Sequence, residues 1–328
     1  MAVYTQLTNE TIADLVEKDY GLGQLAFALG IAQGVENSNY LLDIITAEGQ
    51  ELKTILTLYE KRVAPEDLPF FLALMQHLAA RGVNCPVPLK RKDGQVLSVA
   101  GGRPSAMVTF LHGRSRTVLK NTHVAAVGRA LAALHQAAED FPMTRANALS
   151  LPGWQSLADA LRGRLNEIVP GLEALVAEEL RYLAAHWPQV PALPRGIIHA
   201  DLFPDNVFFD DERLTGIIDF YFACEDFFAY DLAIVLNAWC FEAGKEFNAT
   251  KSRLLLQAYQ TVRPLTPSEK EAFPVLVRGA ALRFLLTRAY DLLHRSKDAL
   301  VTPKDPLEYL AKLRFHQQVR GGQEYGLS

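Results

Sequence analysis

The fold is decided by two short stretches, HADLFPDN at residues 199–206 and IIDF at residues 217–220. Residues 196–220 as a whole predict three short apolar strands, GIIH, NVFFD and LTGIIDF, joined by loops. Asp201 and Asn206 lie five positions apart on irregular backbone, so both side chains can turn into one cleft. Asp219 follows the next strand and can approach the same cleft. The sequence therefore predicts one site built from these three side chains.

These residue types suit the transfer of a phosphoryl group from ATP. Such a transfer needs a carboxylate that orients the attacking hydroxyl and accepts its proton, and oxygen ligands for the magnesium that bridges the phosphates. Asp201 meets the first need, and Asn206 and Asp219 meet the second. Asp and Asn are also common turn formers and caps, which would explain either stretch alone. The occurrence of both stretches at this separation favours the chemical interpretation.

Two neighbours of Asp201 are weaker candidates. His199 directly precedes the loop, and we expect it to support catalysis by organising nearby backbone rather than by carrying a proton. Asp205 is a candidate neighbour of the metal or of the substrate, but a solvated turn carboxylate is an equally good interpretation.

The remainder of the chain predicts an α+β fold, with an antiparallel sheet first and helices after it. We assign residues 1–113 to a nucleotide-binding lobe of five strands and one main helix, and residues 114–328 to a mostly helical lobe for catalysis and substrate binding. The predicted strands of the first lobe cover residues 25–30, 39–45, 52–59, 95–99 and 105–110, and its main helix covers 65–80. The predicted helices of the second lobe cover residues 124–138, 154–167, 172–186, 229–241, 251–261 and 269–295.

Composition excludes several classes of function. The 33 Lys and Arg against 37 Asp and Glu give a net charge of -4, which makes nucleic acid an improbable partner. Three distant cysteines without a C-x-x-C pair indicate buried, reduced thiols. The N-terminus lacks the apolar core of a secretory leader, and no apolar run could cross a hydrocarbon layer of ~30 Å. We therefore expect a cytoplasmic protein without membrane insertion.

At the residues quoted above, the chain resembles the aminoglycoside phosphotransferase and choline kinase superfamily, and the resemblance extends over nearly its whole length. Weaker matches are GVENSNY at 34–40, similar to the turn that covers the phosphates, MVTFLHG at 107–113, similar to the hinge that grips adenine, and YDLA at 230–233. The resemblance implies a protein-kinase-like two-lobe fold with ATP and Mg²⁺ as cofactors. It also implies nucleotide contacts from Asn37, Asn39, Thr109 and Leu111.

Within that superfamily the chain most resembles the bacterial homoserine kinases of threonine biosynthesis. The segments that carry this likeness are GVENSNYLL, TLYEKR followed by DLPFFL, HADLFPDNVFF, IIDFYFACED and RGAALRFLLTRAYD. The likeness implies transfer of the γ-phosphoryl group to the side-chain hydroxyl of L-homoserine, by a monomer or a homodimer.

The chain departs from the usual kinase pattern at one pair of residues. Kinases place a phosphate-binding Lys on the third strand and pair it with a Glu on the following helix. Strand alternation puts Thr57 near the first position, and the helix offers Phe71 at the second. Lys61 lies on the same strand face as Thr57 and is our substitute candidate, unless it simply begins a loop. Lys53 shares that face but is better explained as a solvated strand charge.

A homoserine site must satisfy an ammonium and a carboxylate, which requires an acid and an arginine. Glu225 and Asp226, in the predicted loop after Asp219, are candidates for the ammonium. Arg283 and Arg288 occur within an apolar helical stripe and are candidates for the carboxylate. Ion pairing inside the protein, for example with Asp291, would explain these charges equally well.

Two other functions remain open from the sequence. The first is a kinase of the same superfamily that acts on choline, methylthioribose or an aminoglycoside; choline would require an aromatic cage and no anion partner. The second is a nucleotide-binding pseudokinase that serves as an interaction module, which the missing Lys and Glu would fit. Because Asp201, Asn206 and Asp219 are all present, the sequence favours an enzyme.

Overall fold

The structure is a computed structural model that describes residues 5–31, 37–60, 63–189, 191–295 and 303–327. The chain forms two compact units. The first runs to Gly113 and also includes Gly216–Tyr221, and the second comprises Arg114–Thr215 and the chain from Phe222 onward.

The first unit is built on a five-stranded antiparallel sheet in the order β1-β2-β3-β5-β4. A short helix precedes the sheet, because Thr8 Oγ1 caps its first turn by accepting from Thr11 N at 3.2 Å. A second helix connects β3 to β4. The bounds are α1 Asn9–Asp14, β1 Gln24–Gly30, β2 Ser38–Ile45, β3 Glu51–Leu58, α2 Leu68–Ala80, β4 Leu97–Ala100 and β5 Arg103–Thr109.

Strand alternation forms the core of this unit. In β2, Tyr40, Leu42 and Ile44 are buried, whereas the residues between them are partly exposed. They pack with Leu56 and Met107 of the neighbouring strands and with residues of the N-terminal helical segment. The predicted five strands and main helix of this region are confirmed.

The second unit consists mainly of helices around a few short strands. Its helix-to-helix packing is closest between α3 and α7, α8 and α9, and α6 and α8. The bounds are α3 Asn121–Ala137, α4 Leu151–Ala160, α5 Leu172–His186, β6 Arg195–Ile198, β7 Val207–Asp210, β8 Arg213–Ile217, β9 Cys224–Phe227, α6 Phe228–Trp239, β10 Phe241–Glu242, β11 Glu246–Phe247, α7 Ala249–Gln260, α8 Pro267–Leu293 and α9 Pro306–Gln318.

Two sequence predictions in this region were wrong, and one helix was missed. The helix predicted over residues 154–167 ends at Ala160, where turns and a short 3₁₀ segment at Leu165–Glu167 replace it. Residues 224–227 form strand β9, paired with β6, and not a loop. Helix α9 was missed. Tyr309, Leu310 and Leu313 recur at helical spacing, but exposed Leu307 and partly exposed Phe315 lie off this stripe, and charged Lys312 is buried beside it.

The predicted buried, reduced thiols are present, since Cys85, Cys224 and Cys240 are all free and buried. No helix within the described residues is long and apolar enough to span a membrane.

A fully buried histidine couples the stability of the second unit to pH. His316 of α9 lies within hydrogen-bonding distance of Asn237 Oδ1 through Nε2 (3.0 Å) and of the Tyr325 hydroxyl through Nδ1 (2.9 Å). Asn237 Oδ1 can only accept, so Nε2 donates and Nδ1 accepts from the tyrosine. Burial, with smaller contributions from Lys312 and Arg278, lowers the pKa of His316 to about 3. The imidazole is therefore neutral in the folded protein at pH 7.

We expect the free energy of unfolding to fall by about 2 kcal/mol between pH 6.5 and pH 5 because of His316. The unfolded chain binds a proton below pH 6.5, whereas the folded chain does not, so acidification favours unfolding. Urea titrations at both pH values would measure the loss. His316→Gln should lose part of this pH slope, and the exposed His294→Gln should keep it. Equal slopes in all three proteins would contradict the assignment.

Candidate active site

The loop that follows β6 carries the predicted catalytic residues and has an uncommon backbone. Ala200 lies in the left-handed region at φ 63°, which a residue with a Cβ adopts only when its surroundings enforce it. Asp201 follows directly, and its amide N lies 3.2 Å from Nδ1 of His199. His199 is fully buried, in agreement with the expectation that it organises backbone.

A buried carboxylate on α6 enforces this conformation. Asp231 Oδ2 accepts from the amide of His199 at 2.8 Å, and Oδ1 accepts from the amide of Ala200 at 2.9 Å. In the sequence, Asp231 appeared only within the YDLA match, and no role was predicted for it. The useful signal was an Asp in an otherwise apolar run, because a buried carboxylate needs several donors.

Asp231 is itself oriented from behind by a neutral histidine. His135 of α3 donates from Nε2 to Asp231 at 3.0 Å and accepts from the Tyr259 hydroxyl at Nδ1 at 2.7 Å. Burial lowers the pKa of His135, so its imidazole is neutral at pH 7. Burial alone would raise the pKa of Asp231, but the contacts with His135 and His199 outweigh it and keep the carboxylate ionised.

The other polar group of Ala200 is held by an arginine. Arg283 of α8 donates from Nη1 to the carbonyl of Ala200 at 2.6 Å, and its side chain is 1% exposed. The sequence predicted that Arg283 binds substrate or pairs with a carboxylate. The structure gives it a different contact, because it clamps the peptide that directly precedes Asp201.

Asp201 and Asn206 face one another across the loop. Asn206 Nδ2 donates to the carbonyl of Asp201 at 2.9 Å and to its Oδ2 at 3.2 Å. Both contacts use the amide nitrogen, so the amide oxygen of Asn206 is not bound to Asp201. An amide oxygen is a hard ligand of the type that fits magnesium. Among the described residues, no group of three or more His, Cys, Asp or Glu forms a metal site by itself.

Asp219 lies in the segment that belongs to the first unit. Its φ of 66° places it in the left-handed region, as for Ala200. The segment is fixed on both sides, because Ile217 N donates to the carbonyl of Asn84 at 2.8 Å and the hydroxyls of Tyr221 and Tyr59 lie 3.3 Å apart. Residues held in this region of backbone space cluster at functional sites.

Neutral side chains occupy the positions where the kinase Lys–Glu pair was sought. Thr57 donates from its hydroxyl to Asn39 Oδ1 at 2.8 Å. Phe71 packs edge-on against Tyr221, with ring centroids 5.7 Å apart. Lys53 forms an ion pair with Asp43 of the neighbouring strand at 2.8 Å, which agrees with a solvated strand charge. Lys61 lies outside the described residues.

The remaining nucleotide candidates lie in the first unit. Asn37 is buried, and its side-chain oxygen accepts from the amide of Glu60 at 3.3 Å. Thr109 ends β5, and its hydroxyl accepts from the amide of Val87 at 2.9 Å. Leu111 packs so closely over Gly216 that a Cβ at that glycine would lie 2.6 Å from Leu111 Cδ1. The predicted nucleotide contacts of these residues stay predictions.

The substrate candidates after Asp219 lie on β9 and have partners within the second unit. Glu225 Oε1 pairs with Arg195 Nε at 3.3 Å. Asp226 accepts from Asn147 Nδ2 at 2.7 Å, and burial raises the pKa of its carboxyl. Their proposed contact with an ammonium stays a prediction.

Two further substrate candidates form ion pairs near the C-terminal helix. Asp205 is exposed and pairs with Lys304 at 3.0 Å, which agrees with a solvated turn carboxylate. Arg288 pairs with Glu308 of α9 at 2.6 Å and not with Asp291. The expectation that α8 arginines form internal ion pairs is therefore met by Arg288, although with a partner that sequence analysis did not consider.

Known proteins resemble the chain along its whole length. Residues 28–265 match the family model described as "Phosphotransferase enzyme family". The homoserine kinases of Azorhizobium caulinodans and Xanthobacter autotrophicus are each 56% identical over 328 residues, with 100% of both chains covered. That of Paramagnetospirillum magneticum is 53% identical over 333 residues, again with 100% of both chains covered.

Solved structures of lower identity share the fold. An amicoumacin kinase in complex with AMP-PNP and Ca²⁺ has a TM-score of 0.69 at 15% identity, covering 95% of this chain and 93% of its own. Choline kinase from Cryptosporidium parvum has a TM-score of 0.66 at 16% identity, covering 95% of both chains. These likenesses confirm the predicted α+β fold of the aminoglycoside phosphotransferase and choline kinase type.

We expect Asp231→Asn to lower the free energy of unfolding by about 1.5–3 kcal/mol, since an amide nitrogen cannot accept and at least one buried donor is left unsatisfied. Amide hydrogen exchange at His199 and Ala200 should accelerate in the same variant. The exposed Asp210→Asn should stay within about 0.5 kcal/mol of the parent protein. Unchanged exchange at Ala200 in the Asp231 variant would show that the carboxylate does not hold the loop.

Proposed function

Because this chain belongs to the phosphotransferase enzyme family and, within it, to the homoserine kinases, we propose that it transfers the γ-phosphoryl group of ATP to the side-chain hydroxyl of L-homoserine. The product is O-phospho-L-homoserine, an intermediate of threonine biosynthesis. The observation that carries the proposal is an identity above 50% to homoserine kinases over the whole chain. The reaction takes place in the cytoplasm, on a monomer or a homodimer.

Asp201 acts on the nucleophile. Its carboxylate accepts the hydroxyl proton of homoserine and points the oxygen at the γ-phosphorus. The support is local: the amide of Asn206 fixes one oxygen of Asp201, and the contacts of Asp231 and Arg283 with Ala200 fix the backbone before it. With the loop already in place, little rearrangement is needed when substrate binds, and positioning supplies much of the rate.

Asn206 and Asp219 are the proposed magnesium ligands. The amide oxygen of the first and the carboxylate of the second are hard oxygen donors, which suit this cation. When bound there, magnesium would neutralise charge on the phosphates.

Nucleotide binding is assigned to the first unit. Asn37, Asn39, Thr109 and Leu111 are the proposed contacts, with Lys61 as the candidate cation for the phosphates. The neutral Thr57 and Phe71 at the usual Lys and Glu positions leave more of the phosphate charge to magnesium.

We expect Asp201→Asn to lower kcat for homoserine by about 10²–10⁴-fold, because the amide cannot accept the proton. Release of ADP in the presence of magnesium would measure it, with thermal unfolding as a check on folding. Asp159→Asn, an exposed carboxylate on α4, is the matched control and should keep full activity.

The same assay across homoserine, choline, methylthioribose and an aminoglycoside tests the substrate. Turnover of homoserine far above the other compounds is expected. Turnover of another compound instead would replace the proposed substrate, and release of ADP from none of them would favour the pseudokinase.

A further inference from the structure

Helices α8 and α9 hold two buried cations that share one carboxylate. Arg288 donates from Nη1 to Glu308 Oε2 at 2.6 Å, and Lys312 donates from Nζ to Glu308 Oε1 at 2.6 Å. The side chains of Arg288 and Lys312 are only 9% and 2% exposed, whereas that of Glu308 is 31% exposed. We call Arg288, Glu308 and Lys312 the α8–α9 charge cluster.

The cluster has two cations and one carboxylate, so it carries a surplus positive charge in a buried region where an uncompensated charge is unfavourable. Two other buried arginines of the same unit each have a carboxylate of their own, Arg278 with Glu179 and Arg263 with Glu269. Buried charge without a counter-ion costs several kcal/mol. Burial lowers the pKa of Lys312, which reflects that cost, although the contact with Glu308 acts against the fall. An anionic ligand would remove the surplus.

Arg288 retains N–H donors that could bind such a ligand. Within the described part of the chain only its Nη1 makes hydrogen bonds, to Glu308 and to the carbonyl of Asp305 at 3.0 Å. The guanidinium lies over the ring of Tyr309, 4.5 Å from the centroid, which fixes its plane. Nε and Nη2 are thus left to bind a carboxylate, a group that matches the fork of a guanidinium.

The cluster adjoins the catalytic loop through Tyr309. The Tyr309 ring packs against Phe284 at 5.2 Å and against Phe203, two residues after Asp201, at 6.5 Å between centroids. Its hydroxyl is buried and has no hydrogen-bond partner among the described residues. Burial raises the pKa of this hydroxyl, and the charge of Asp201 adds to the rise, so Asp201 lies within electrostatic range. The buried Tyr309 hydroxyl is therefore a donor without an acceptor, and a bound anion would supply that acceptor.

We propose that Arg288, supported by Lys312 and Tyr309, binds the α-carboxylate of the amino-acid substrate and selects amino acids over amino alcohols of the same length. The inference rests on the proposed function, since it assumes an amino acid whose hydroxyl is delivered to Asp201. In homoserine the hydroxyl and the carboxylate are about 5 Å apart along the chain of single bonds. Sharing Glu308 with Lys312 keeps Arg288 from being fully neutralised. Arg283 has a different role, because its Nη1 holds the loop.

The test compares homoserine with 3-aminopropan-1-ol, which is homoserine without its carboxylate. We expect the parent enzyme to prefer homoserine in kcat/KM. Arg288→Met should lower kcat/KM for homoserine about 10- to 100-fold, mainly through KM, since a charge-assisted contact is lost. The same variant should change kcat/KM for 3-aminopropan-1-ol less than about threefold and leave KM for ATP unchanged.

Arg278→Met is the matched control, because it removes a balanced ion pair from the same helix. We expect it to lower the unfolding temperature without changing the preference for homoserine. If Arg288→Met does not fold, the test uses Arg288→Lys instead, which keeps the positive charge. Its ammonium cannot span Glu308 and a substrate carboxylate as a guanidinium does, so the KM for homoserine should rise about 5- to 10-fold.

The two proposals fail in different ways. If the folded parent enzyme does not phosphorylate homoserine but does phosphorylate another compound, the proposed function is wrong. If it phosphorylates homoserine and the folded Arg288 variants keep the full preference over 3-aminopropan-1-ol, the carboxylate site lies elsewhere and the function stands.

Discussion

The conformation of the loop that carries Asp201 depends on two side chains that hold the backbone amide and carbonyl of Ala200. Ala200 donates its amide to the buried carboxylate of Asp231, and its carbonyl accepts from Arg283. Its positive φ costs of order 1–3 kcal/mol, which these charge-assisted contacts offset. Because Asp201 follows Ala200, two side chains from helices α6 and α8 set the direction of the carboxylate that we propose to be catalytic.

Asp231 in turn depends on a neutral partner. His135 donates one hydrogen bond to it while its other ring nitrogen accepts from Tyr259. If His135 were protonated, Nδ1 could no longer accept from the Tyr259 hydroxyl. Burial favours the neutral imidazole and so preserves both of its hydrogen bonds. The same principle recurs at His316, which joins α9 to α6 and to the C-terminal turn. Buried neutral histidines thus link helices in this unit without adding charge.

The two units differ in how they use charge. At the positions where kinases pair a lysine with a glutamate, the first unit has a hydroxyl–amide contact and packed aromatic rings. The second unit instead concentrates charge on α8, where Arg278, Arg283 and Arg288 follow one another at intervals of five residues. An interval of five turns a helix by about 140°, so each guanidinium faces a different neighbour. One is balanced by Glu179, one holds a backbone carbonyl, and one shares a carboxylate with a lysine.

The sequence by itself determined the class of fold and the chemistry. The alternation of Tyr40, Leu42 and Ile44 is local and predicted their strand, and the spacing of Asp201, Asn206 and Asp219 predicted phosphoryl transfer. Tertiary structure decided the partners of the buried charges. Arg283, Arg288 and Asp231 were visible as charges in apolar runs, but their partners lie between 17 and 96 positions away along the chain. Helix α9 was missed because the buried charge of Lys312 interrupts the apolar stripe of Tyr309 and Leu313. Periodicity records only which residues face the interior, whereas the pairing of polar groups depends on which distant segments are packed beside them.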